Sequence, residues 1–207
     1  MLKFLDYIRK SCYRNLLENY LKEFLPKLEG DILDIGSKDR RYDFFMKKKP
    51  IAIDIIERKE KEIIYGDVNN MDFEDGRFDS VVCLEVLEHL TTPHKAVSEI
   101  HRVLKKNGTL LLSVPFMVKA HGDYMRFTKN YLQEKIFNLF SEVKIYPIGN
   151  FYAIILDILR DKIIKIKFTP FRYFSYLPYL LLALFIPFSK LSKEDGYISG
   201  YFIVANK

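Results

Sequence analysis

The chain has 207 residues, 49% of them hydrophobic and 29% charged, with a formal net charge of +6. That length suits one domain and is tight for an eight-fold α/β barrel, and the apolar share excludes an intrinsically disordered chain. Two cysteines, Cys12 and Cys83, exclude a disulfide scaffold and lead to the expectation of a reducing, cytoplasmic compartment.

At the N-terminus, Leu2, Leu5, Ile8, Cys12, Leu16, Tyr20 and Phe24 recur at three- and four-residue steps. The spacing predicts an amphipathic helix ending near Pro26, so residues 1–30 are expected to form a helical cap. No continuous apolar run with a small-residue cleavage site follows the first Met, so a secretory signal is not expected.

From residue 31 the period changes. Short apolar runs at Ile32–Ile35, Ile51–Ile55, Glu62–Tyr65, Phe78–Leu84 and Thr109–Val114 alternate with segments read as helices. Strands separated by helices predict a doubly wound α/β domain with a parallel sheet. Pro93–Leu104 is read as a helix opened by Pro and stopped by Lys105-Lys106-Asn107-Gly108. Lys129–Phe140 is read as a further helix, Glu142–Ile148 as a sixth strand and Tyr197–Ala205 as the last strand.

Residues 149–196 break this rhythm. Between 149 and 193 lie seven basic residues (Arg160, Lys162, Lys165, Lys167, Arg172, Lys190, Lys193), two acids (Asp157, Asp161) and ten aromatics, so most of the chain's excess charge is local. Tyr173–Phe188 carries no charge but is shorter than the roughly 20 residues of a membrane span and contains Pro178 and Pro187. The segment is expected to be a substrate lid or a peripheral membrane contact, at the inner face of the membrane.

In an open α/β sheet, ligands bind beyond the carboxyl ends of the strands where the winding reverses. The first strand ends in Asp34-Ile35-Gly36-Ser37, where Gly36 permits a sharp turn and a following helix is expected to offer N–H groups to an anion. Asp54 closes the second strand and suits two ribose hydroxyls. Asp67, after the third, suits the amino group of an adenine, or else forms an Asx turn in YGDVNN.

The runs DILDIGS, IAIDI, YGDVNNMDF, FDSVVCLEVLEHL and HRVLKKNGTLLLSVPF, in this order and spacing, resemble the class I S-adenosylmethionine-dependent methyltransferases. The segment VPFMVKAHGDYMRFT is most similar to the family's small-molecule branch. The resemblance covers roughly residues 31–148 and returns at the last strand. It implies a Rossmann-like, seven-stranded, mostly parallel sheet whose last strand is antiparallel between the fifth and sixth. It further implies S-adenosylmethionine as cofactor, bound by Asp34, Gly36, Ser37, Asp54, Ile55, Asp67, Val68, Leu84 and Glu85. The 31–148 and 197–207 segments would form the methyltransferase domain, with 149–196 inserted in its last hairpin. The family's next two loop glycines are replaced here by Lys38 and Arg40, which puts close approach to the cofactor in question.

After the fifth strand come His121, Asp123, Tyr124 and Arg126, on the side where an acceptor would meet the methyl group. A histidine ordinarily titrates near neutral pH, so His121 is the expected base, oriented by Asp123, with Arg126 holding an acidic acceptor. Glu85, Glu88 and His89 stand at i, i+3 and i+4 and could share a divalent ion. Such segments hold a metal in some relatives and none in many others, and no metal is assigned. The expected function is methyl transfer to a small or lipid-linked acceptor, without nucleic acid as partner. A non-catalytic nucleotide-binding module and a nucleic-acid methyltransferase are the alternatives.

Overall fold

The computed structural model describes residues 10–167, 174–178, 181 and 196–207. They fall into two compact units. One takes Tyr20–Pro115, His121–Tyr146 and Tyr201–Lys207, and the other takes the described parts of Met1–Asn19, Phe116–Ala120 and Pro147–Gly200.

The sheet has seven strands: β1 (Ile32–Ile35), β2 (Ile51–Asp54), β3 (Ile63–Tyr65), β4 (Phe78–Leu84), β5 (Leu104–Pro115), β6 (Glu142–Ile148) and β7 (Gly200–Asn206). Their order is β3-β2-β1-β4-β5-β7-β6, and β1 to β5 pair in parallel. β7 runs antiparallel: Asn107 and Gly108 near the start of β5 exchange backbone bonds with Lys207. The fold is therefore the Rossmann-like architecture expected from the sequence. Winding reverses at β1, which has β2 on one side and β4 on the other. That places the carboxyl ends of β1 and β4 at the switch point where open α/β sheets bind ligands.

The core consists of Leu33, Ile35, Ile53, Phe78, Val81, Val82 and Leu110 to Leu112, all at most 3% exposed. β4, buried along most of its length, reads as the near-continuous apolar run of a strand covered on both faces. Helix α1 (Cys12–Phe24) is followed by a single 3₁₀ turn at Leu25–Lys27, where Pro26 cannot donate to the preceding helix. Its last turns place Tyr20 and Phe24 over Phe202 of β7, with ring centroids 5.3 Å apart in both pairs. Helix α2 (Pro93–Val103) opens on Pro93 and buries Pro93, Ala96, Val97, Ile100 and Val103 along one face.

Three local expectations are corrected. No α-helix follows Gly36: the connection to β2 holds one 3₁₀ turn, Asp43–Phe45. Nor does an α-helix separate β2 from β3, where Lys59–Lys61 makes a 3₁₀ turn, or β3 from β4. These connections are short, charged and without a 3.6-residue apolar repeat, so a helix there would have no face to bury. Lys105-Lys106-Asn107-Gly108 does follow the end of α2, but β5 begins at Leu104 and not at Thr109. That run is a bulge within β5, where pairing steps from Phe78↔Leu104 to Ser80↔Thr109 and Asn107 takes φ +64°. The helix at Lys129 is α3 (Lys129–Tyr131), continuing as a π-helical turn over Leu132–Ile136 and ending before Phe140.

In the second unit, α4 (Phe151–Ile164) is capped by Asn150, whose side chain accepts from Ala153 N at 3.1 Å. Its Asp157 carboxylate accepts from Cys12 N at 2.5 Å and Tyr13 N at 3.0 Å, capping α1 from a neighbouring helix. Cys12, Ala153, Leu156 and Ile163 form the apolar cluster beneath that contact. Among the described residues no helix is long and apolar enough to cross a membrane. Most of the Tyr173–Phe188 stretch lies outside the described residues.

Phe202 is fully buried. Phe202→Ala should therefore cost about 3–5 kcal/mol of unfolding free energy. Urea denaturation of the two proteins checks this, through a lower midpoint with an unchanged slope.

Candidate active site

Five strand ends build the site. Gly36 follows β1 at φ +73°, and a Cβ there would lie 2.4 Å from Val86 Cγ2. Only glycine accommodates both the left-handed backbone and that approach. The β1–β2 ladder continues past the strand, with Gly36 N and Ser37 N donating to Ile53 O at 2.9 and 3.3 Å. Ser37 is buried.

Of the two positions where glycines were expected, Arg40 is the informative one. It takes φ +50°, the left-handed conformation a glycine would supply. Its side chain, 11% exposed, donates from Nε to Asp43 Oδ2 at 2.7 Å, from Nη1 to Glu62 O at 3.0 Å and from Nη2 to Pro50 O at 2.9 Å. Arginine thus keeps the glycine-like turn, and three oxygen acceptors hold the strained backbone in place. Lys38 is exposed, and its N–H donates to Gly36 O at 2.8 Å.

Asp54, ending β2, accepts from Ile56 N at 2.9 Å through Oδ1, and Arg58 Nη1 stands 3.6 Å from Oδ2. Ile55 beside it is 69% exposed. Asp67, after β3, does form the Asx turn, with Oδ1 accepting from Asn69 N at 2.8 Å and from Asn69 Nδ2 at 3.1 Å. A carboxylate has about four acceptor sites, so these bonds leave Asp54 and Asp67 capacity for further donors. Val68 is buried. Leu84 ends β4, and Glu85 follows at φ +58° with Oε1 accepting from Ser113 Oγ at 2.7 Å.

Asp34 lies within β1, partly covered. Burial, reinforced by the Asp43 and Asp54 carboxylates against the opposing effects of Ser37 and Arg40, pushes its carboxyl up to about 7.

The loop after β5 carries the second half of the site. His121 Nδ1 is 3.0 Å from Asp123 Oδ1, which also accepts from His121 N at 3.0 Å. Arg126 grips the other oxygen, Oδ2, through Nε at 2.8 Å and Nη2 at 2.5 Å. The Asp123 side chain is 4% exposed, and burial alone would raise its pKa. The His121 N–H and the Arg126 guanidinium outweigh this and hold the carboxyl below the usual range. His121 is half-exposed and meets the His89 ring edge-on, with centroids 5.0 Å apart. The expected trio therefore comes together, but Arg126 binds Asp123 and does not stand apart to receive an acceptor.

Glu88 is fully buried. Burial first, then the neighbouring Glu85 carboxylate, raises its carboxyl to about 8, while Arg126 acts the other way. Its carbonyl oxygen accepts from Tyr124 N at 2.7 Å and Met125 N at 3.3 Å, which ties the loop after β5 to the loop after β4. Beyond it, Met125, Arg126, Phe127, Thr128 and Tyr131 line an open hollow of about 370 Å³.

Residues 46–112 match the family model described as a methyltransferase domain. The match falls on β2 to β5 of the sheet, about a third of the chain. An S-adenosylmethionine-dependent methyltransferase from Archaeoglobus fulgidus superposes with a TM-score of 0.61 at 16% identity, over 100% of this chain and 99% of that one. Phosphoethanolamine N-methyltransferase 2 of Haemonchus contortus, solved with S-adenosyl-L-methionine, gives 0.56 at 19% identity over 94% of this chain and 52% of that one. The [4+2]-cyclase SpnF gives 0.60 at 16% identity, over 91% and 80%. No curated protein sequence matches the chain.

The residues at the carboxyl edge are chemically suited to S-adenosylmethionine. Gly36 gives a close backbone approach, and Asp54 and Asp67 are acceptors for hydroxyl and amino groups. Sequence reasoning missed Arg40 as a structural clamp and Ser113 as the partner of Glu85. Neither residue type signals a positive φ or a cross-strand bond.

Because the folded pKa of Asp34 lies above the usual carboxylate value, its contribution to stability is complete below about pH 4 and is lost as pH rises through 7. Relative to Asp34→Asn, the native protein should lose stability between pH 4.5 and 8, by at most about 4 kcal/mol. Urea titrations of both proteins across that range measure the difference directly.

Proposed function

We propose that the chain transfers the methyl group of S-adenosylmethionine to a small acceptor. In this reading Asp54 takes the ribose hydroxyls, Asp67 the adenine amino group, with Ile55 and Val68 beside the base. Asp34, Gly36, Ser37, Leu84 and Glu85 line the rest of the cofactor side. The observation that carries the proposal is the glycine-shaped turn at Gly36 on the same sheet edge as the His121–Asp123 pair.

Methyl transfer from a sulfonium is an in-line displacement, so the protein chiefly aligns donor and acceptor and removes a proton where the acceptor carries one. The cofactor supplies the electrophilic methyl group. His121 accepts the acceptor's proton, Asp123 fixes the imidazole and stabilises its cation, and Arg126 locks Asp123. The hollow lined by Phe127 and Tyr131 is of a size for a small molecule. The phosphoethanolamine enzyme of Haemonchus contortus supports a small polar acceptor of this kind.

Calorimetry with S-adenosylmethionine, followed by detection of S-adenosylhomocysteine in the presence of small phosphorylated amines and lipid-linked acceptors, tests the reading. Gly36→Ala should weaken cofactor binding at least about tenfold. His121→Ala should leave cofactor affinity within about twofold while lowering turnover about 10²- to 10³-fold. Absence of cofactor binding in the native protein refutes the proposal in favour of a non-catalytic module.

The second unit supports contact with a lipid surface or a lipid-linked acceptor. Ile158, Ile164, Phe174, Leu177 and Leu181 are each more than 40% exposed, alongside Arg160, Lys162, Lys165 and Lys167. Apolar side chains ringed by cations suit an anionic interface. Deleting the whole segment would strip the Asp157 cap from α1, so point changes are the cleaner probe. Ile158→Asp with Phe174→Asp should reduce co-sedimentation with vesicles containing phosphatidylglycerol at least about fivefold and leave the melting temperature unchanged. Native protein that ignores such vesicles refutes the contact.

A further inference from the structure

S-adenosylmethionine is a linear chain of adenine, ribose, sulfonium and amino acid. In the methyltransferase reading Asp67 after β3 takes the adenine and Asp54 after β2 the ribose. The sheet order is β3-β2-β1-β4, with neighbouring strands about 4.8 Å apart, so a molecule laid across β3 and β2 in that sense carries its amino-acid end over β1. The carboxylate at that end meets the loop between β1 and β2, which starts at Gly36.

A loop after the first strand ordinarily holds an anion with free backbone N–H groups and the N-terminus of the helix behind them. This loop keeps little of either. Gly36 N and Ser37 N both donate to Ile53 O, Lys38 N donates to Gly36 O at 2.8 Å and Arg40 N to Ser37 O at 3.4 Å. Four of the five N–H groups from Gly36 to Arg40 are thus taken by carbonyls, and the fifth belongs to Asp39, which carries a negative charge itself. The helical element before β2, the 3₁₀ turn Asp43–Phe45, has three residues and opens on an acid, so it brings no useful dipole to an anion.

A side-chain cation remains. Arg40 is held by Asp43 and by two carbonyls, Arg41 and Lys61 stand 3.8 and 2.7 Å from Asp39, and Lys47, Lys48 and Lys49 pair with Glu29, Asp31 and Glu62. Lys38 is exposed and has no ion pair among the described residues, and the acid beside it in sequence, Asp39, already has Arg41 and Lys61. It stands two residues past the Gly36 turn, and its flexible four-carbon stem allows the ammonium to reach back over that turn. We propose that Lys38 binds the carboxylate of the S-adenosylmethionine amino-acid end, in place of the backbone N–H groups that this loop no longer offers. This role rests on the methyltransferase reading and adds a selectivity to it: the site requires a carboxylate as well as an adenosyl sulfonium. An ammonium–carboxylate contact is a charge-assisted hydrogen bond, stronger than a neutral one, and at an exposed position it is screened by salt.

The test is calorimetry on the full chain with two ligands, S-adenosylmethionine and its decarboxylated form, which keeps the adenosine, the sulfonium and the amine and lacks only the carboxylate. Native protein should bind the decarboxylated form at least about tenfold more weakly. Lys38→Ala should lower affinity for S-adenosylmethionine about tenfold, should not lower affinity for the decarboxylated form, and should flatten the salt dependence seen with the native protein. Lys38→Arg, which keeps the charge, should retain most of the affinity. Lys59→Ala removes another exposed lysine without an ion pair among the described residues, in the turn between β2 and β3, and should bind both ligands as the native protein does. Lys38 and Lys59 are exposed, so all three variants should melt at the native temperature. An unchanged affinity for S-adenosylmethionine in Lys38→Ala, or an equal loss for both ligands, overturns the proposal and leaves the methyltransferase reading in place. Native protein that binds neither ligand refutes that reading, and the role of Lys38 with it.

Discussion

The close packing of Gly36 against Val86 is the contact on which the carboxyl edge depends. β1 and β4 are adjacent, and the chain leaves β1 through a left-handed turn that brings its backbone against the first residues beyond β4. Those residues lead into Glu85, Glu88 and His89, so the turn after β1 also fixes the loop after β4. Any larger residue at Gly36 would separate the two loops, and the interlock of Glu88 O with Tyr124 N and Met125 N would carry the displacement into His121 and Asp123. Arg40 serves the same purpose from the other end of the turn. Its guanidinium holds the oxygens of Pro50 and Glu62, so the loop is braced against the segments flanking β2 and β3 in place of a helix.

The strands and their order were legible because apolar runs bounded by Gly, Pro and charge leave few alternatives for a parallel sheet. Ile32–Ile35, Phe78–Leu84 and Glu142–Ile148 stand at the residues that the pattern predicts. The missing helices after β1, β2 and β3 were less legible, because their absence follows from having nothing to cover, which depends on three-dimensional context. Lys105 to Gly108 marked the helix end but hid the start of β5, for a different reason. Asn-Gly is a left-handed signal wherever it falls, and only pairing with β4 and with Lys207 turns that signal from a helix stop into a strand bulge. In the site, single residues near strand ends were legible as donors and acceptors. Their partnerships were not: the Ser113–Glu85 bond and the His89–His121 contact join different loops, and no sequence spacing encodes them.

Two features distinguish what the fold supplies from what this chain adds. The sheet edge is common to proteins of different chemistry, since SpnF, a [4+2]-cyclase, superposes on it as well as methyltransferases do. Chemistry must therefore reside in the loops. Here the loop after β5 is unusually constrained for a surface segment: Asp123 is bound on one oxygen by His121 and on the other by Arg126, and the next two residues are anchored to Glu88 O. Such a network holds one imidazole in one orientation, which a loop serving only to cover a pocket would not require.

The buried carboxyl of Glu88 points the same way. A glutamine at that position could fill the same volume without a titratable group, and a leucine would fill it without a polar atom. An acid with no partner, beside two histidines whose Nδ1 atoms face oxygens, is stable only if a proton or a cation completes it.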